Sequence, residues 1–163
     1  MASKLFNQTQ TLGREVDTLK THLKAQLEYR IQLSSLVDMI IPRLRAQIET
    51  EWDANYAVVD TPKTRKIQSD LEMRVTQAGQ YTTYYDNARA YARNAVIMVN
   101  RELATLKTMV AAYDPKNKKK KSATGHDLLL DDKQVKAREQ KRAYAEATIA
   151  KAEAMLAQVD NNL

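Results

Sequence analysis

The sequence predicts an all-α protein: a long, kinked antiparallel helical hairpin with a third, shorter helix, packed as a coiled-coil-like bundle. Only three glycines and three prolines interrupt 163 residues, and residues that favour helices, above all Ala, Leu, Gln, Glu, Lys and Arg, dominate the composition. Apolar residues recur at intervals of three and four, whereas no segment shows the sustained alternation of a strand. A chain of this length can form one continuous core but not two, so we expect a single helical domain over residues 1–163.

The first predicted helix covers about residues 13–59. Its apolar stripe recurs every three or four positions, at Leu12, Val16, Leu19, Leu23, Leu27 and Ile31. From Leu33 onward the apolar positions are displaced around the helix. Pro42 lies in the middle of the segment and cannot donate a hydrogen bond to the carbonyl of Asp38, so we expect a kink at Pro42.

The second predicted helix covers about residues 62–113. Thr61 can cap its first turn, and Pro62 suits the first helical position because no hydrogen-bond donor is lost there. The short connection at Asp60–Pro62 predicts an antiparallel hairpin. Small alanines recur in the apolar stripe of this helix, which allows a neighbouring helix to approach closely.

A basic loop over residues 114–130 precedes the third predicted helix, which covers about residues 131–160. Asp131 is the predicted cap, with Gln134 three residues later as in a capping box. The apolar stripe of this helix is thin and rich in alanine. Alone it would be marginally stable, so it must pack on another part of the chain.

The residues that support catalysis or metal binding are scarce. The absence of cysteine excludes disulfides, thiolate metal sites and thiol nucleophiles. His22 and His126 have no partner at a helical ligand spacing, and helix capping explains Asp127, Asp131 and Asp132 better than a bound cation does. No phosphate-binding loop, dinucleotide fingerprint or nucleophile elbow is present. We therefore expect a protein that is not an enzyme and that uses no metal, cofactor or small-molecule substrate.

Positive charge is concentrated near the basic loop. The net charge is +6, and residues 116–142 contain ten basic and four acidic side chains. The candidate contact surface for phosphate or for an acidic partner consists of Lys116, Lys118, Lys119, Lys120, Lys121, Lys133, Lys136, Arg138, Lys141 and Arg142. Such a surface could bind nucleic acid; the alternative is a solvated linker that aids solubility.

A second basic and aromatic group lies on the second predicted helix. Tyr84 and Tyr91 are seven residues apart, and Arg89 and Arg93 are four apart, so rings and guanidinium groups share one side. Stacking on single-stranded bases would use these groups. Flanking a contact between helices would use them as well, and we favour that interpretation.

The tip of the hairpin is a candidate protein interface. The third helix has about 30 residues and starts near the far end of the second helix, so folding directly back would leave the tip uncovered. The 17-residue loop could instead let the third helix travel toward the tip. The apolar residues that would line the uncovered segment are Ile48, Trp52, Tyr56, Val58, Val59, Ile67, Leu71 and Val75.

These features favour a non-catalytic structural or assembly protein that acts through helical interfaces, as an oligomer or in a larger complex such as a virion or another macromolecular assembly. The alternative is an oligomeric nucleic-acid-binding accessory factor that uses the basic loop. The first residues lack the apolar core of a signal peptide, and no segment approaches the ~20 apolar residues of a membrane span. We expect a soluble, intracellular protein, cytoplasmic or within an assembled particle.

Overall fold

The computed structural model describes residues 3–52, 59–116, 132–159 and 163. It contains α1 (Lys4–Ser35), a π-helical segment (Leu36–Ile40), α2 (Ile41–Glu49), α3 (Pro62–Ala112) and α4 (Asp132–Gln158). No regular strand occurs among these described residues. The predicted all-α fold class is therefore confirmed.

The N-terminal boundary of the first helix differs from the prediction. Helix α1 begins at Lys4, nine residues before the predicted start, because the Ser3 hydroxyl accepts a hydrogen bond from the backbone N–H of Phe6 at 3.1 Å. This is the usual action of a serine cap. The buried stripe accordingly starts at Leu5.

The C-terminal boundary also differs. Helix α2 ends at Glu49, ten residues before the predicted end at Val59. The carbonyl of Glu51 accepts a hydrogen bond from the Val59 N–H at 3.1 Å, a pairing that no continuous helix could make over eight residues. The predicted helix is thus wrong for residues 50–52 and for Val59, and residues 53–58 lie outside the described residues.

The chain stays helical through Pro42 by changing its hydrogen-bond register. The Ile41 N–H donates to the carbonyl of Leu36, five residues earlier, which is the pattern of a π-helix. Pro42 then falls in the first turn of α2, where a missing N–H is tolerated. The irregularity predicted near Pro42 takes the form of this π-helical segment.

Helix α3 begins with a reciprocal cap. The Thr64 N–H donates to the Thr61 hydroxyl at 3.2 Å, and the Thr61 N–H donates to the Thr64 hydroxyl at 2.9 Å. Thr64 also donates from its hydroxyl to the carbonyl of Val59. The sequence correctly indicates Thr61 and Pro62 as the start of this helix, but it did not reveal Thr64 as the second member of the cap.

The chain forms two compact units. We call residues 1–21 and 92–163 the bundle unit, and residues 22–91 the hairpin unit. Helices α1 and α3 each contribute residues to both units. The single domain predicted over residues 1–163 stays a prediction.

The bundle unit contains most of the buried apolar residues. From α1 it buries Leu5, Leu12, Val16 and Leu19, and from α3 it buries Ala92, Ala95, Val99, Leu103, Leu106 and Val110. Helix α4 contributes small residues, Ala145, Thr148 and Ala152, which permit a close approach between helices. A contact between the rings of Phe6 and Tyr144, with centroids 6.0 Å apart, connects α4 to α1, and an ion pair of Lys107 with Glu153 connects it to α3.

The hairpin unit has a thinner core. Among its described residues, those buried are Leu36, Ile41, Thr64 and Ala88. Aromatic contacts connect α1 to α3: the ring of His22 lies 5.4 Å from Tyr91, and the ring of Tyr29 lies 5.5 Å from Tyr84. Because the residue number rises along α1 as it falls along α3, the two helices are antiparallel here.

Candidate protein interface

Exposed apolar side chains are concentrated in the hairpin unit. Among the described residues, ten of the twelve large apolar or aromatic side chains that are exposed belong to this unit. They are Leu27, Ile31, Val37, Met39, Trp52, Val59, Met73, Val75, Tyr84 and Tyr91. In the bundle unit the corresponding residues are Ile97 and Tyr144. The unit with the thinner core therefore has the larger share of exposed apolar surface.

The apolar stripe on α1 is buried in the bundle unit and becomes exposed in the hairpin unit. In the bundle unit its members Leu12 and Leu19 are fully buried. In the hairpin unit Leu23 is half-buried, while Leu27 and Ile31 are 54% and 59% exposed. The described part of the hairpin unit contains only α1, the π-helical segment, α2 and α3, so no further helix covers the stripe there.

A second exposed row runs along α3. Met73, Tyr84 and Tyr91 are separated by eleven and seven residues, which places them on one side of the helix. Since the rings of Tyr84 and Tyr91 contact Tyr29 and His22, this row flanks the contact between α1 and α3. These contacts agree with the favoured interpretation of the two tyrosines.

The two arginines predicted beside these tyrosines do not share one environment. Arg89 is half-buried in the hairpin unit, whereas Arg93 is exposed and belongs to the bundle unit. The contacts of Tyr84 and Tyr91 with α1 thus favour a role beside the contact between helices over base stacking.

The residues predicted at the tip are only partly exposed. Trp52, Val59 and Val75 are exposed, whereas Ile48, Ile67 and Leu71 are half-buried. Two further members of the predicted surface, Tyr56 and Val58, lie outside the described residues.

The tip also has charged side chains. Lys63 forms an ion pair with Glu51 at 2.8 Å, and Arg65 forms one with Asp60 at 3.0 Å. Exposed pairs of this kind contribute little to stability. The strongest apolar exposure on α1 is at Leu27 and Ile31, away from the turn. The spacing of the stripe did not indicate this, because it is equally regular in the buried and in the exposed part.

The basic surface is described in part. Lys116, Lys133 and Lys136 are exposed. On α4, Arg138, Lys141 and Arg142 are half-buried. Four lysines predicted for this surface, Lys118, Lys119, Lys120 and Lys121, lie outside the described residues. Arg142 forms an ion pair with Glu146 at 3.2 Å, which reduces its availability to an anion.

Sequence reasoning missed one cation near this surface. Lys4 lines a depression of about 400 Å³ together with Arg138 and Lys141. Since more than 130 residues separate Lys4 from the other two, only the packing of α4 on α1 brings these cations together. No local pattern in the sequence could have indicated it.

Net charge differs sharply between the units. The hairpin unit contains nine basic and nine acidic residues. The bundle unit contains seventeen basic and eleven acidic residues, so it accounts for the whole net charge of +6. Most of the exposed apolar side chains among the described residues thus belong to one unit, and the excess of positive charge belongs to the other.

The described residues contain no group of three or more His, Asp or Glu side chains arranged to hold a metal ion. Of the acidic cluster considered above, Asp132 lies in the first turn of α4 and is exposed. The remaining members, Asp127 and Asp131, lie outside the described residues, as does His126. None of the described helices is long and apolar enough to span a membrane.

The chain matches no family model, no curated protein and no solved structure.

Proposed function

We propose that this protein is a non-catalytic structural or assembly protein that acts through helical interfaces, as an oligomer or within a larger complex. The supporting observation is the set of ten exposed apolar and aromatic side chains in the hairpin unit. Monomeric soluble proteins rarely expose large apolar patches, and such patches commonly mark interaction surfaces. The hairpin unit is the part of the protein that a partner covers.

Burial of the α1 stripe against a partner would contribute free energy to association. Full burial of a Leu or Ile side chain contributes about 1.5–3 kcal/mol. More than half of that burial is still available at Leu27 and Ile31, since 54% and 59% of their surfaces are exposed. A helix packed along this stripe would gain stability from both residues and would also shield the half-buried Leu23.

Ile31→Gln is expected to weaken association without reducing the stability of the isolated chain. Ile31 is 59% exposed, so glutamine at this position loses little intramolecular packing but removes apolar surface from the interface. The mass should be measured by light scattering coupled to size-exclusion chromatography over a range of concentrations.

Ile97→Gln is the matched control, because Ile97 is also an exposed isoleucine, at 64%, but belongs to the bundle unit. We expect wild type and the Ile97 variant to associate equally, and the Ile31 variant to shift toward the monomer or to lose a co-purifying partner. Equal behaviour of all three proteins would argue against the hairpin unit as the interface.

A second function, as a nucleic-acid-binding accessory factor, has support from the charge of the bundle unit. That unit has a net charge of +6, and its exposed cations include Lys133 and Lys136 at the start of α4. Lysines offer point charges to phosphates without the planar geometry by which arginine reads bases. The binding would be independent of nucleotide sequence and would weaken steeply as salt rises.

Replacing Lys133 and Lys136 together with glutamine tests this function. If both lysines contact phosphates of a single strand, the slope of log affinity against log salt should fall by about 1.4, which is about 0.7 for each contact. The measurement is a fluorescence anisotropy titration of a labelled single strand at several salt concentrations.

The control replaces Lys63 and Lys66, which are also exposed, three residues apart and at the start of a helix, but in the hairpin unit. It removes the same charge and should leave the slope unchanged. Equal losses in both variants would indicate a non-specific response to net charge. Absence of binding by the wild type near physiological salt would remove this function.

A further inference from the structure

We propose that the exposed stripe of α1 in the hairpin unit is covered by the same stripe of a second copy of this chain, in an antiparallel pair with two-fold symmetry. This inference rests on the proposed function and adds the identity of the partner. The α1 stripe consists here of Leu23, Leu27 and Ile31, which follow one another at intervals of four residues along one side of the helix.

Charge selects the hairpin unit as the surface for a second copy. Two bundle units brought together would oppose one net charge of +6 with another, whereas two hairpin units bring together no net charge. Like charges that face each other across an interface suppress association. The neutral unit also has ten of the twelve exposed large apolar or aromatic side chains among the described residues. Apolar attraction is therefore greatest where net charge opposes association least.

The sequence of the stripe is complementary to itself in the antiparallel direction. When two identical helices pair around a two-fold axis at the level of Gln26, residues 24 and 28 of opposite copies lie at the same height. Lys24 of one copy then faces Glu28 of the other, and the symmetry repeats this pair on the other side of the axis. Both side chains are exposed in the single chain.

The same register brings the apolar residues together. With a rise of about 1.5 Å per residue, Leu27 lies within roughly 3 Å along the axis of Leu27 of the second copy, and Leu23 lies equally near the level of Ile31. The apolar positions thus interdigitate while the charged positions pair beside them. In a two-fold symmetric interface the same patch of each copy contacts its equivalent, so association stops at the dimer.

Reversal of the charge at position 24 or at position 28 tests the pairing. Lys24→Glu places two carboxylates opposite each other across the interface, and Glu28→Lys places two ammonium groups opposite each other. Since each substitution acts twice in a symmetric pair, we expect each variant alone to weaken dimerisation by about tenfold. The dissociation constant should be measured by sedimentation equilibrium.

Mixing the two variants distinguishes the interface from an effect within one helix. Residues 24 and 28 are four apart, so each substitution also creates a repulsion inside α1, and mixing cannot relieve that repulsion. In a mixed dimer, however, positions 24 and 28 are both acidic in one chain and both basic in the other, so opposite charges face each other across the interface. We expect an equimolar mixture to dimerise at least as well as the wild type, with helical content unchanged by circular dichroism.

The absence of cysteine allows a second, independent measurement. Leu27→Cys should form a disulfide-linked dimer on oxidation, since Leu27 lies beside its equivalent across the axis. Ile97→Cys, at an exposed position of the bundle unit, should remain largely unlinked.

The results separate this inference from the broader function. A wild-type chain that is monomeric at all concentrations would overturn the pairing, and so would a dimer whose strength is unaffected by either charge reversal. In both cases the assembly function would survive if the Ile31→Gln substitution still released a different protein. Rescue on mixing, together with the disulfide at position 27, would support the two-fold pair.

Discussion

Leu12→Ala is expected to lower the free energy of unfolding by about 2–5 kcal/mol, the range for removing a large buried side chain and leaving a cavity. Leu12 is fully buried in the bundle unit. Urea denaturation followed by circular dichroism, at concentrations low enough to exclude association, would measure the change.

Leu27→Ala is the control for this prediction, because Leu27 is the same residue type on the same stripe of the same helix. With 54% of its surface already exposed, its truncation should cost less than about 1 kcal/mol in the single chain. It should instead weaken association. Equal losses of stability at both positions would contradict the division of the stripe into a buried part and an interface part.

Thr64→Val is expected to lower the free energy of unfolding by about 1–3 kcal/mol. Valine keeps the shape of the side chain but removes the hydroxyl that accepts from the Thr61 N–H and donates to the carbonyl of Val59. Thr64 is 1% exposed, so water cannot readily replace these partners, and buried groups left unpaired are costly. Urea denaturation of the variant and the wild type would measure the loss.

Thr76→Val provides the comparison on the same helix. Thr76 is exposed and donates to the carbonyl of Glu72 within its own helix, at 2.9 Å. Its replacement should change stability by no more than about 0.5 kcal/mol. The interpretation of Thr64 as part of the cap would fail if the two variants unfolded at the same urea concentration.

The separation of charge from apolar exposure makes the two proposed functions independently testable. Association is assigned to Leu27, Ile31 and their neighbours in a unit with no net charge. Phosphate binding is assigned to lysines in the other unit. Substitutions at Lys133 and Lys136 should therefore leave the oligomer mass unchanged, and a chain that both associates and binds phosphate would do so with different residues.

The sequence alone determined the helical fold class and the approximate position of most elements. Periodicity and the scarcity of glycine and proline are local properties, so they predict helices without knowledge of the tertiary fold. The same holds for Thr61 and Pro62, which favour a helix start through their own hydroxyl and ring. Pro42 likewise predicted an irregularity in the helix at its own position, because it has no N–H to donate.

Other local boundaries were missed although their signals were present. Ser3 caps α1 through its hydroxyl, and a serine before an apolar stripe is a recognised start signal. The end of α2 could not be derived in the same way. There, the carbonyl of Glu51 is paired with the N–H of Val59, and such a contact depends on the path of the chain beyond the helix.

Only the tertiary structure decided which part of the α1 stripe is core. The spacing from Leu12 to Ile31 is regular throughout, yet Leu12 is fully buried and Ile31 is 59% exposed. Periodicity states that apolar residues share a face of a helix, but not whether another element lies against that face. Helix α4 packs with α1 in the bundle unit, whereas the described hairpin unit has no equivalent helix, and that difference in packing creates the candidate interface.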